Sequence, residues 1–214
     1  AKKPTLRRHP MKILITYYSR TQTNAEIALL LAEDLIAKGH SVDFEKIEPV
    51  KEENRWVLLK RTWMNWPPLI IGLFSNKYRR YFYDNFKHHE MDIKPLAYPD
   101  VSDYDRIIIG SPKWVFMSYP IARYIRQVEG LKDKKVGYFS AWCGPPLKNF
   151  EVEAAFKPAC HRLERRGAKV VSLLGLSSGY HEYHIYNIFN FFSYLRFGHF
   201  IDFYTTHSEY GQRN

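Results

Sequence analysis

A chain of 214 residues with 45% hydrophobic and 25% charged residues has room for one well-buried domain plus insertions, and its balance is that of an ordinary globule. Two cysteines, Cys143 and Cys160, exclude a disulfide framework. A net charge of +10 favours anionic partners: phosphate-bearing ligands, acidic proteins, anionic lipid or nucleic acid.

Residues 1–10 carry Lys2, Lys3, Arg7 and Arg8 ahead of Met11 and read as a basic tail outside the fold. Met11 to Asn24 then passes from a short apolar run, Ile13-Leu14-Ile15, to a polar loop, Ser19-Arg20-Thr21-Gln22-Thr23-Asn24. From Ala25 the spacing of Ile27, Leu30, Leu31 and Leu35 predicts a helix. A helix start exposes unpaired N–H groups and the positive end of its dipole, so strand, hydroxyl-rich loop and helix in this order predict a phosphate cradle. The plainer reading makes Ser19, Thr21 and Thr23 helix-capping residues. Arg20 either adds charge to the cradle or points into water.

Lys38-Gly39-His40 supplies a helix stop, and Ser41 to Ile47 alternates as a strand with one solvated flank. The rhythm then breaks. Residues 50–99 place Trp56, Leu59, Trp63 and Trp66 at helical spacing, then Pro67-Pro68 as a breaker, then a basic and aromatic run from Lys77 to Tyr83. Some fifty residues without a clear strand exceed an ordinary connection, which predicts a mainly helical insertion.

The alternation resumes with Ile107-Ile108-Ile109, a buried strand ending at Gly110-Ser111-Pro112, and Tyr119-Pro120 opens the next helix. A fourth strand runs from Lys135 to Ser140, a helix spans about Glu151 to Arg166, and a fifth strand covers Lys169 to Leu174. Five strands separated by helices of crossover length predict a doubly wound five-stranded parallel sheet in an α/β domain over 11–179. Beyond Gly179, tyrosines and phenylalanines crowd an extension, 180–214, that calls for burial on the domain, on a partner subunit or at a membrane surface.

In an open parallel sheet the ligand lies beyond the carboxyl ends of the strands, where strand order reverses. Three loops meet there: Ser19–Asn24, Gly110–Met117 and Ser140–Gly144. On these residues the chain resembles the flavodoxin family, over about 11–48 and 100–178. The hydroxyl-rich first loop and the stretch from Tyr104-Asp105 through Ile109-Gly110-Ser111-Pro112-Lys113-Trp114 to Tyr119-Pro120-Ile121 carry the likeness.

The resemblance implies strand order 2-1-3-4-5 and FMN as cofactor. It assigns the phosphate to Ser19, Arg20, Thr21, Gln22, Thr23 and Asn24. The ring would be flanked by Ser111, Pro112, Lys113, Trp114, Val115 and Phe116, and by Ala141, Trp142, Cys143 and Gly144. Family members usually carry glycine where Gln22 stands and threonine where Asn24 stands. Gln22 has a Cβ, so a positive φ there would be strained. Trp114 reads either as the flavin's aromatic neighbour or as a packing residue, and Cys143 as a small apolar filler.

No residue stands out as a general acid or nucleophile, and the spacing of His181 and His184 lacks the partners of a metal site. The chemistry expected is therefore that of the cofactor. The leading expectation is an FMN-dependent oxidoreductase acting on a quinone- or porphyrinogen-like substrate or an acidic redox partner protein. An electron-transfer shuttle and a flavin-free interaction module are the alternatives. Homo-oligomer contacts through the aromatic segments and peripheral membrane contact are further expectations. Nucleic acid is not expected, because no recognition module is present. Neither a secretory signal nor an apolar run of about 18 residues is visible, so a cytoplasmic protein is expected, with membrane association left open.

Overall fold

The computed structural model describes residues 9–64, 66–85, 89–114, 116–142 and 153–177. The sheet begins with β1 (Lys12–Tyr17), an interior strand whose Ile13, Leu14 and Ile15 are wholly buried. A strand apolar on both faces belongs inside a parallel sheet covered on both sides. β1 pairs in parallel with β2 (Ser41–Lys46) on one edge and β3 (Arg106–Pro112) on the other. β4 (Lys135–Trp142) and β5 (Lys169–Ser177) continue the sheet, again in parallel. The order is β2-β1-β3-β4-β5, as the sequence reading expected.

The pleat divides the core. Ile13, Ile15, Ile108 and Phe139 face α1 (Thr23–Ala37) through its Ile27, Ala28, Leu31 and Leu35. Leu14, Ile107, Ile109, Val136 and Tyr138 face the opposite way, towards α5 (Tyr119–Gln127) and α6 (Glu153–Arg165). α1 ends where read: Gly39 takes φ +88°, and the Gly39 and His40 amides donate back to Ile36 and Leu35 at 2.9 and 3.1 Å.

The insertion after β2 holds α2 (Arg55–Met64), α3 (Trp66–Phe74) and α4 (Asn76–Asn85). Pro67 and Pro68 fall in the first turn of α3, where no backbone donor is needed, so the expected breaker also starts the next helix. The insertion is not helical throughout: from Met91 the chain returns without helix, touching Pro49 through a bridge at Ile93. The Val50 amide donates to Asp92 O and the Lys94 amide to Glu48 O, both at 2.8 Å, which clasps the two ends together. Glu45 of β2 is buried and accepts the Ala97 amide at 2.6 Å, pinning the return to the sheet edge.

Among the described residues no helix is long and apolar enough to cross a membrane. Residues 1–8 of the tail and the whole extension 180–214 lie outside the described residues, as do Val115, Cys143 and Gly144.

Candidate functional site

The carboxyl ends of β1, β3 and β4 bring the three expected loops together. The Tyr18 amide donates to Gly110 O at 3.1 Å, joining the first loop to the second, and the Lys113 amide donates to Ala141 O at 3.0 Å, joining the second to the third.

In the first loop, Gln22 occupies the N-cap position of α1 at φ 66°, ψ −20°. This is the left-handed region in which a side chain is strained, by about 1–2 kcal/mol. The helix has no side-chain cap, so the plainer reading of the hydroxyls as capping groups does not hold. Instead the Thr21 and Thr23 hydroxyls lie 3.4 Å from each other. Ser19 Oγ is buried with no hydrogen-bond partner among the described residues. Asn24 is also buried. Its Nδ2 donates to Tyr18 O at 3.3 Å, while its Oδ1 has no partner among the described residues. A buried oxygen left unpaired costs about 1–3 kcal/mol, so both oxygens are open to a further hydrogen-bond partner.

Arg20 takes neither of its expected roles outright, because its guanidinium reaches Glu53 O at 3.3 Å at the entrance to the insertion. Tyr18 stands beside it, its hydroxyl donating to both oxygens of Glu52 at 3.1 Å. Burial, then the Glu52 charge, pushes the Tyr18 phenol well above its ordinary range, so it stays a donor. Sequence reading missed Tyr18 and Glu52, because their pairing spans 34 positions and leaves no local pattern.

In the second loop Ser111 is turned inward. Its Oγ accepts the Ser118 amide at 3.0 Å and lies 3.0 Å from Ser118 Oγ, closing the loop before α5. Trp114 is half-buried and meets two rings edge-on: Tyr18 at 5.7 Å and Tyr119 at 4.9 Å between centroids. Phe116 is buried, with its ring 5.7 Å from Phe82 of α4. The Arg61 guanidinium lies over the Tyr119 ring at 5.4 Å and pairs with Glu53 at 2.6 Å. The insertion is therefore a wall of this site, touching both of its first two loops.

At the third loop Ala141 and Trp142 are buried, and Trp142 packs its ring against Phe156 at 6.5 Å. Ser140, just before them, has a buried Oγ with no partner among the described residues. Cys160 lies on α6, where burial and then Glu164 push its thiol up to about 12; it is a neutral filler. Among the described residues there is no group of three or more histidine, cysteine or acidic side chains placed to hold a metal.

No protein-family model and no curated protein matches the chain by sequence. Its structure is similar to that of an NADH:FMN oxidoreductase in the apo form, with a TM-score of 0.53 and 15% identity over 89% of this chain and 88% of that one. It is also similar to a provisionally named flavoprotein from Bacteroides eggerthii, with a TM-score of 0.50 and 21% identity over 78% of this chain and 88% of that one. With five parallel strands in the order β2-β1-β3-β4-β5, flanked by helices on both faces, and with this likeness, the chain has the flavodoxin-like fold.

Proposed function

We propose that this chain is an FMN-binding redox protein, with the FMN phosphate held by the loop from Ser19 to Asn24. One observation carries the reading. At the carboxyl edge of a parallel sheet, α1 begins without a side-chain cap while Ser19 Oγ beside it is buried and unpaired. An anion there would meet the helix N–H groups and the hydroxyls of Ser19, Thr21 and Thr23. The replacement of glycine by Gln22 does not spoil this fit, since Gln22 already adopts the left-handed backbone that glycine would allow. The name of the structural neighbour acting on FMN agrees with the choice of ligand.

Bound FMN would supply the hydride or electron chemistry. The chain's own residues bind and shield. Lys113, Trp114 and Phe116 from the second loop, with Pro112 and the end of β4 at Ala141 and Trp142, would border the ring. Tyr18 and Tyr119 are buried and meet the half-buried Trp114 edge-on, backed by α2 and α4, so Trp114 is the ring of this wall that a second ring would meet. That wall favours an oxidoreductase acting on a small quinone- or porphyrinogen-like acceptor over a bare electron shuttle.

The first test is the ligand retained on purification, read by absorbance and mass. If saturating FMN leaves no bound flavin and no quenching of tryptophan fluorescence, the reading fails. With FMN bound, Ser19→Ala combined with Thr21→Ala should weaken it by about 2 kcal/mol, roughly thirtyfold, from two lost hydrogen bonds to a charged group. An unchanged affinity by fluorescence titration would move the phosphate elsewhere. Turnover of a soluble quinone with a reduced nicotinamide would support the enzyme over the shuttle.

A further inference from the structure

The helices of the insertion turn an apolar and basic surface outward, the reverse of an ordinary surface helix, whose outer face is polar. In α3, Pro67, Ile70, Ile71 and Phe74 are all exposed, Phe74 by 87%. At about 100° per residue these four fall within one arc of roughly 100°. Gly72, buried on the opposite side of α3, meets Arg79 of α4, whose guanidinium donates to Gly72 O at 3.2 Å. The apolar arc of α3 therefore points away from the rest of the hairpin. In α2, Trp56, Val57, Lys60 and Met64 share an arc of the same width, with Trp56 exposed by 75% and Met64 by 68%. α4 adds exposed Lys77, Arg80 and Tyr81.

The charge on these helices is one-sided. α2 to α4 carry Arg55, Lys60, Arg61, Lys77, Arg79 and Arg80 against the single acid Asp84. Arg61 is paired with Glu53 and Arg79 is spent within the hairpin, while Lys60, Lys77 and Arg80 stand exposed. We propose that α2, α3 and α4 form a contact surface that lies on an anionic lipid bilayer. Exposed tryptophan, tyrosine and basic residues suit the headgroup zone, and Ile70, Ile71, Phe74 and Met64 suit the acyl boundary beneath it. Charge complementarity selects the anionic bilayer. A nucleic acid would match the lysines and leave the isoleucines and Phe74 against water. This surface does not depend on the flavin reading, although the same helices wall the candidate site.

Cosedimentation of the full chain with vesicles tests it. The protein should bind vesicles of phosphatidylcholine mixed with phosphatidylglycerol at low salt, bind pure phosphatidylcholine poorly, and be released by high salt. Lys60→Glu, Lys77→Glu and Arg80→Glu together should lower the partition coefficient by about a hundredfold. Ile70→Ser with Phe74→Ser should lower it by about tenfold or more, with only a small change in thermal midpoint, because Phe74 is 87% and Ile70 44% exposed. Absence of binding at low salt, or equal binding by the variants, overturns the proposal. So does a fall in thermal midpoint of the Ile70→Ser, Phe74→Ser variant with vesicle binding intact, which would mean that the chain covers this face itself. A dimer that the same variant turns into a monomer while vesicles go unbound would assign the face to a second copy. Tighter binding to duplex DNA than to the mixed vesicles would assign the charge to nucleic acid.

Discussion

Gly110 sits where β3 passes the ring of Phe139: a Cβ built there would lie 2.1 Å from the ring's Cζ. The ring is wholly buried and has no room to withdraw, so the glycine is required by packing rather than by backbone conformation. Gly110→Ala should cost about 1–3 kcal/mol, read from urea unfolding, and should disturb the loop that begins with Ser111. Gln22 is the opposite case. It has space and the wrong conformation, so Gln22→Gly relieves strain, although a glycine also loses more entropy on folding. The balance should leave the variant more stable by up to about 1 kcal/mol, and the same urea titration decides it. A variant less stable than the parent would mean that the Gln22 side chain makes contacts worth more than the strain.

At the scale of elements, what the sequence made legible follows from how locally each feature is encoded. Ile107-Ile108-Ile109 and Ile13-Leu14-Ile15 announce buried parallel strands because their neighbours on both faces must be apolar. The order of strand, polar loop and helix start was legible as well, because the three are contiguous. The docking of the insertion was not. Glu52 on Tyr18, Glu53 on Arg20 and Phe82 on Phe116 are pairings across 33 or more positions, and no periodicity announces them. The same holds for Glu45, which looked like a solvated residue of an alternating strand and is instead buried under the returning chain. Burial raises its pKa above the ordinary 4.5, and the amides of Ala97 and Tyr98 offset only part of that rise. A carboxyl raised in the fold contributes stability that is fully present below its unfolded pKa and is lost as pH climbs through the folded value. The chain should therefore lose stability as pH rises from about 4.5 towards neutrality through this group. Glu45→Gln keeps a carbonyl acceptor for the Ala97 amide and never ionises. Its stability relative to the parent should rise between pH 4 and pH 7 in paired denaturation curves; a constant difference would place the pH dependence elsewhere.

At the scale of the molecule, Glu90 holds three parts together. It lies where the insertion returns, and its carboxylate meets Arg126 at 2.5 Å and Arg123 at 3.8 Å, both of α5, together with Arg162 of α6. Its side chain is 19% exposed, so these pairs are screened less than surface pairs but are not fully desolvated. Removing the charge would leave three guanidinium groups converging on a neutral group, in a chain that already carries a net +10. Glu90→Gln should therefore destabilise the fold by about 2 kcal/mol, midway between exposed and buried pairs. The cause can be separated from lost packing by salt. Repulsion among Arg123, Arg126 and Arg162 would be screened at high ionic strength, so the deficit should shrink there, whereas a packing defect would not respond. Because the insertion also walls the candidate site, the same variant should loosen the Phe82–Phe116 contact and weaken any flavin held beside it. A Glu90→Gln chain with full stability and unchanged ligand affinity at low salt would show that the clasp at the insertion's ends and its contacts with Tyr18, Arg20 and Phe116 hold it in place without Glu90.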